Sequence, residues 1–225
     1  MVELWKRMVP AARYWHSRYL DRRFDRRFGV ETLKAWTPEA MFPEDEIPSD
    51  AHRHQPVSVL DFEEMMKAVD VPHENYVFLD LGSGTGKALM LASGYGFERI
   101  VGVELSRRLH DVAEANLAAF SEKTGRPNIF ELHCGDAAEI EWPIGDLFIF
   151  LFNPFARSKL ESVLERLERA RQADPRRLVV LCRRSGAFDL FERRGFLQEV
   201  HRTPAFRVYL DEASVKNAGG ARVRS

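Results

Sequence analysis

Three glycines and two carboxylates carry the most chemical information in this chain of 225 residues. The stretch FLDLGSGTGKAL, residues 78–89, places Asp80 just ahead of Gly82-Ser83-Gly84-Thr85-Gly86. Glu104 follows about twenty residues beyond the loop, in GVEL. Glycines spaced in this way let a backbone approach a ligand closely, with no Cβ between them. A P-loop ending at Gly86-Lys87 requires a glycine at 81 and a hydroxyl at 88, where the chain has Leu81 and Ala88. The dinucleotide pattern G-x-G-x-x-G fits less badly, but the third glycine comes one residue early. Asp80 also counts against it, because a carboxylate beside a pyrophosphate repels it.

A cationic ligand without phosphate suits these residues better, and S-adenosylmethionine is one. Asp80 balances its positive charge, while Gly82, Ser83, Gly84 and Gly86 form the close-approach loop. Glu104 stands where a carboxylate accepts from two ribose hydroxyls, with Leu105 beside it. In CGDAA, Asp136 is placed to accept from an adenine amino group, and the Ala137 N–H to donate to the ring. His52, Arg53 and His54 lack a third ligand at a recognised spacing, so no metal is expected.

The elements that must position these groups follow from periodicity. Leu4, Met8, Trp15, Tyr19 and Phe24 recur at near-helical spacing, which predicts a helix over residues 3–28. Pro38, Pro43, Pro48 and Pro56 with an acidic stretch predict a long loop over 29–56. A helix over 57–69 is followed by apolar strand runs at 76–81, 99–105, 128–136, 146–152 and 177–183. Helical patterns at 86–95, 107–123 and 158–170 separate the strands, and Ser185 is placed to cap a short further helix. Residues 196–202 and 206–211 flank Thr203-Pro204 as a closing hairpin. Such alternation predicts an α/β, Rossmann-like three-layer sandwich with a mostly parallel sheet. The expected organisation is a helical extension with a loop or lid over 1–70, a ligand-binding domain over 71–211 and a flexible tail over 212–225.

LDLGSGTG, GVEL, GDA and LFNPF, in that order between about Tyr76 and Leu210, resemble the class I S-adenosylmethionine-dependent methyltransferases. The resemblance implies a seven-stranded sheet that ends in an antiparallel hairpin, with Asn153-Pro154-Phe155 beside the transferable methyl. This NPF is similar to the N-x-F of the non-SET histone-lysine methyltransferases and to small bacterial proteins of that type; HQPVS, residues 54–58, resembles a Gln-Pro that they carry before the core. The departure from N-P-P-Y weighs against a DNA-adenine or glutamine substrate. A nitrogen acceptor is implied, a protein lysine or another amine, with a small-molecule or RNA methyltransferase and an inactive binding module as alternatives. Asn153 and the Pro154 carbonyl would then accept from the amine, Asn153 also lying against the cofactor, and the Phe155 ring would face the developing charge. Gln55 and Arg183 are candidate substrate contacts.

Bulk composition narrows the partners. Lys+Arg 33 against Asp+Glu 34 gives a net charge of -1, with no global pull toward nucleic acid, although the Arg-rich first 30 residues keep that partner open. No apolar run approaches a membrane span, and no secretory signal is visible. Cys134 and Cys182 lie in strand-like runs and read as buried thiols in a reducing cytoplasm. Oligomeric state is open. Each candidate also has a plain structural reading: a tight turn for the glycines, solvated strand ends for Asp80 and Glu104, a helix cap for Asp136, a surface position for Lys87, a solvated pair for Arg183 and Arg184, and packing for the aromatic residues of the first helix.

Overall fold

The computed structural model describes residues 2–49, 53–126, 129–152, 156–183 and 187–217; the side chains of 2–10, 216 and 217 are not described. In chain order the elements are α1 (Val2–Phe28), α2 (Pro38–Met41), α3 (Val59–Lys67), β1 (Tyr76–Leu81), α4 (Lys87–Ala92), β2 (Arg99–Glu104), α5 (Arg107–Thr124), β3 (Phe130–Cys134) and β4 (Asp146–Phe152). Then come α6 (Arg157–Ala173), β5 (Leu178–Arg183), α7 (Phe188–Glu192), β6 (Gln198–Arg202), β7 (Phe206–Leu210) and α8 (Glu212–Asn217).

Seven strands form one sheet in the order β3-β2-β1-β4-β5-β7-β6. All neighbours are parallel except β7, which runs antiparallel to both β5 and β6. The chain walks outward from β1 to β3, then returns to lay β4 on the other side of β1. Strand order therefore reverses between β1 and β4, and the loops leaving their C-terminal ends diverge to open a crevice. Strand alternation sends Phe78, Ile100, Phe148 and Val179 into one core with Phe62, Met65 and Met66 of α3 and Leu89 of α4. Leu79, Val101, Ile149 and Val180 enter the other core, under Leu160, Val163 and Leu167 of α6. This is the three-layer arrangement that the pattern predicts.

Local chemistry sets the helix ends. Ser58 accepts from the Asp61 N–H at 3.0 Å to start α3, and Ser106 accepts from the Leu109 N–H at 3.3 Å to start α5. The Ser106 hydroxyl also donates to the Met41 carbonyl at 2.7 Å, docking α2 on α5. The segment read as a long loop is thus a folded strap. Trp36 and His54 pair as an antiparallel bridge, and the Asn116 amide accepts from the Glu31 N–H at 2.8 Å while donating to the Thr85 carbonyl at 3.0 Å.

Four expectations are corrected. Lys87 is 2% exposed, and its ammonium meets Asp21 of α1 at 2.7 Å. Asp21 also accepts from the Val59 N–H at 2.9 Å, so one carboxylate joins α1, α3 and α4. Cys134 is exposed, because β3 is an edge strand; Cys182, on the interior β5, is buried. β3 is shorter than the apolar run suggested. Glu212–Asn217 form a helix where an irregular tail was expected, because the Asp211 carboxylate accepts from the Ser214 N–H at 3.1 Å at its start. Ser185 and residues 218–225 lie outside the described residues.

Breaking a buried ion pair from one side strands the other charge. Asp21→Ala should cost about 3–5 kcal/mol in a urea titration, and Asp21→Ala with Lys87→Met should recover much of it. Equal losses in the single and double variants would mean that the pair matters only through packing.

Candidate functional site

A cavity of about 430 Å³ lies in the crevice, at the C-terminal edge of the sheet, within the range of small-ligand sites. β1 delivers Asp80 and the glycine loop to it, β2 delivers Glu104 and Leu105, and the segment after β3 delivers Asp136 and Ala137. The strap and α3 close the near side with Met41, His54, Gln55 and Asp61, and α1 contributes Arg18 and Asp21.

The loop turns through three positive φ angles, 94° at Gly82, 55° at Gly84 and 81° at Gly86. Gly86 is the N-cap of α4, a left-handed position that a side chain would strain. Glu104 fixes the loop from the next strand. One of its oxygens accepts from the Gly84 N–H at 2.8 Å and the other from the Ser106 N–H at 2.8 Å. An ionised carboxylate has about four acceptor sites, so roughly two remain after these bonds. Burial pushes the Glu104 carboxyl above its ordinary value, against the backbone N–H groups of Ser106, Gly84 and Leu105.

Asp80 is 3% exposed, and none of the described residues donates a side-chain or backbone hydrogen bond to its carboxylate. Burial, and then the charge of Glu104, hold its carboxyl well above the usual range. The solvated-strand-end reading of both acids therefore fails. Two acids of one sign, buried at the ends of adjacent strands, form a place where a cation is stabilised. The hydroxyls of Ser83 and Thr85 are buried with no hydrogen-bond partner among the described residues, and both residues line the same cavity. Leu105 is 46% exposed at its rim, an apolar surface for a planar ring to cover.

Asp136 is already engaged. It accepts from the Ala138 N–H at 2.8 Å and pairs with Lys159 of α6. Partial burial opposes its ionisation, but Lys159 and the Ala138 N–H outweigh it and hold the carboxyl below its ordinary value. The helix-cap reading is corrected: a turn follows Asp136 where a helix was expected, one oxygen caps that turn through the Ala138 N–H, and the second faces a cation. Arg183 lines the cavity, but its guanidinium meets Asp61 at 2.6 Å and lies over the Phe152 ring at 4.9 Å. It is neither solvated nor open to an anion, because Asp61 already answers its charge. Asn153, Pro154 and Phe155, with Arg184 and His52, lie outside the described residues; Phe152, the residue before them, lines the cavity.

Sequence reading missed Asp21, Asp61, Thr85 and His54. Asp21 and Asp61 sit on helices remote in sequence, with no local motif. His54 was weighed only for metal. Its ring lies on the glycine loop, so a methyl group on Gly84 would stand 2.6 Å from Nδ1. Gly84 thus accommodates the strap as well as any ligand. Burial pushes the His54 imidazole down to about 4, and its Nε2 has no hydrogen-bond partner among the described residues. The close group of His and carboxylate side chains, His110, Asp111 and Glu114 on α5, includes no cavity residue.

The fold is that of the class I S-adenosylmethionine-dependent methyltransferases. The family model described as "Histone methylation protein DOT1" matches residues 58–130, from the cap of α3 to the start of β3. No curated protein matches the chain. Among solved structures it is similar to a "predicted N6-adenine-specific DNA methylase" from Listeria monocytogenes, with TM-score 0.51 and 12% identity over 69% of this chain and 51% of that one. It is also similar to N,N-8-amino-8-demethyl-D-riboflavin dimethyltransferase from Streptomyces davawensis, with TM-score 0.50 and 17% identity over 67% and 53%. An RNA methyltransferase from Salinibacter ruber, solved with S-adenosyl-L-homocysteine, gives TM-score 0.47 and 22% identity over 69% and 91%.

His54 gives the site a pH signature. Unfolded, it titrates near 6.5; folded, near 4. Between these values the unfolded chain binds more protons, so this contribution is intact above about pH 6.5 and falls away as pH drops toward 4, by on the order of 3 kcal/mol. His54→Phe should flatten that part of the stability profile relative to the parent. Parallel profiles for the two proteins would show that the ring is not held neutral.

Proposed function

We propose that this protein is an S-adenosylmethionine-dependent methyltransferase acting on nitrogen. The observation that carries the reading is the buried pair Asp80 and Glu104, which flank a glycine loop at the strand-order reversal, with no cation among the described residues bonded to either. The residues fit the cofactor. Asp80 suits its cationic methionine end, the remaining acceptor sites of Glu104 suit the ribose hydroxyls, and Leu105 and Ala137 suit the adenine. Asp136 keeps acceptor capacity for the adenine amino group beside its bonds to Ala138 and Lys159. Held there, S-adenosylmethionine would supply a methyl on a sulfonium: the S–CH₃ electron pair would stay with sulfur, the acceptor's lone pair would form the N–CH₃ bond, and the nitrogen would give a proton to solvent.

The protein's part is positioning and dehydration. By the resemblance, Asn153 and Pro154 hold the acceptor N–H groups and Phe155 faces the charge that grows on nitrogen. The acceptor implied there is a protein lysine or another amine. A free lysine is neutral in only about one molecule in a thousand near neutral pH, so the walls of Phe150 and Phe152 would favour its uncharged form by excluding water.

Calorimetry with S-adenosylmethionine, NADH and ATP tests the cofactor directly; binding of either of the latter two without the first would overturn the reading. Glu104→Gln should weaken S-adenosylmethionine binding by about ten- to a hundredfold, the cost of hydrogen bonds to a charged acceptor, with the far-ultraviolet spectrum unchanged. Asn153→Ala should instead lower kcat while leaving the cofactor Kd nearly intact. Equal loss of both would make Asn153 a structural residue.

A further inference from the structure

The cavity does not account for the outer face of α1. Trp15 stands three and four positions before Arg18 and Tyr19, and Arg22 lies four and three beyond those two and four before Arg26, so all five share one side of the helix. With Leu33 and Asp25 they line a groove of about 560 Å³. Trp15 is 65% exposed and Tyr19 54%, with Tyr14 beside them at 57%. Large rings left this open, three within six positions, are not core residues.

The arginines of the groove are also unanswered. Among the described residues, no carboxylate pairs with Arg18, Arg22 or Arg26, whereas Arg13, on the same helix, holds Asp61 and Glu64. The acid of the groove, Asp25, spends both oxygens on Thr32, accepting from its N–H at 2.9 Å and its hydroxyl at 2.6 Å. Three guanidinium groups against one committed carboxylate leave the groove positive. It is continuous with the cavity, because Arg18 and Leu33 line both.

We propose that this groove binds single-stranded nucleic acid and leads it to the cavity, so that the acceptor nitrogen belongs to a nucleobase; the second half rests on the methyl-transfer reading above. Guanidinium groups along the helix meet phosphates, and the interleaved rings stack on bases. Stacking of this kind needs bases that are not already stacked in a duplex. Other occupants fit less well. Rings and arginines on one face leave no separate apolar face to enter a lipid surface. A second copy would set arginine against arginine, and a basic peptide is repelled. An acidic peptide would satisfy the arginines but leave the rings unused.

The test titrates the full chain, without cofactor, into labelled mixed-sequence RNA and DNA single strands and the matching duplex, at low and moderate salt. Single strands should bind better than duplex, with affinity falling steeply as salt rises. Arg22→Ala and Arg26→Ala should each lower the salt slope by about one. Trp15→Ala should cost about five- to a hundredfold, and Trp15→Phe much less. All these residues are solvent-facing, and an unchanged S-adenosylmethionine Kd would verify that the variants are folded. Absent binding, or binding indifferent to all the variants, overturns the groove. So does a polyglutamate peptide that competes equally while Trp15→Ala has no effect, which would point to an acidic protein instead. Labelled-methyl transfer to the bound strand, reduced in Arg22→Glu at unchanged cofactor Kd, supports the nucleobase acceptor; a strand that binds but never accepts methyl overturns it. Strand binding without any S-adenosylmethionine binding leaves the groove standing and removes the methyltransferase reading.

Discussion

Lys87 opens α4 immediately after the glycine loop, which is the wrong end of a helix for a cation, and it is buried there. Nothing about that position is tolerable without Asp21. The carboxylate arrives from α1, more than sixty residues earlier in sequence, and its second bond, to the Val59 N–H, brings α3 to the same point. Once this contact is made, the amphipathic face of α3 lies on the sheet, the strap must cross the strand ends, and the crevice acquires a wall. The site's geometry is thus set by an interaction that belongs to no motif.

The electrostatics of the cavity follow from how its charges are shared out. Asp61 and Arg183 answer each other, as do Asp136 and Lys159, and Asp21 with Lys87. Asp80 and Glu104 differ. Glu104 is held by N–H dipoles, which organise the loop without supplying a full positive charge, and none of the described residues bonds to the Asp80 carboxylate. Among the described residues of the cavity, positive charge is lacking between these two. The groove on α1 has the opposite imbalance, unpaired cations near the mouth of the same cavity. A molecule reaching the cavity from that side meets a field of one sign before it reaches a field of the other.

The strands were legible because the chain writes them as short apolar runs bounded by glycine and charge, and because LDLGSGTG and GVEL sit at strand ends. The glycine loop and its two acids were legible for the same reason, their spacing being local. The strap was not: its structure lies in single long-range bonds, such as Ser106 to Met41 and Asn116 to Glu31, which leave no periodicity. Lys87 read as a surface residue because its partner lies on another helix. Arg183 read as solvated because its partner, Asp61, is 122 positions away. Asn153-Pro154-Phe155, legible as a motif, lie outside the described residues.

Asn116 has a consequence for how the protein responds to ligands. One side-chain amide, held in the middle of α5, takes its proton acceptor from the glycine loop at Thr85 and gives its oxygen to the strap at Glu31. Whatever tightens the loop also removes freedom from the strap, through the side-chain bonds of Asn116 to Thr85 and Glu31. The exchange of the Glu31 amide hydrogen with solvent is then a remote gauge of loop order.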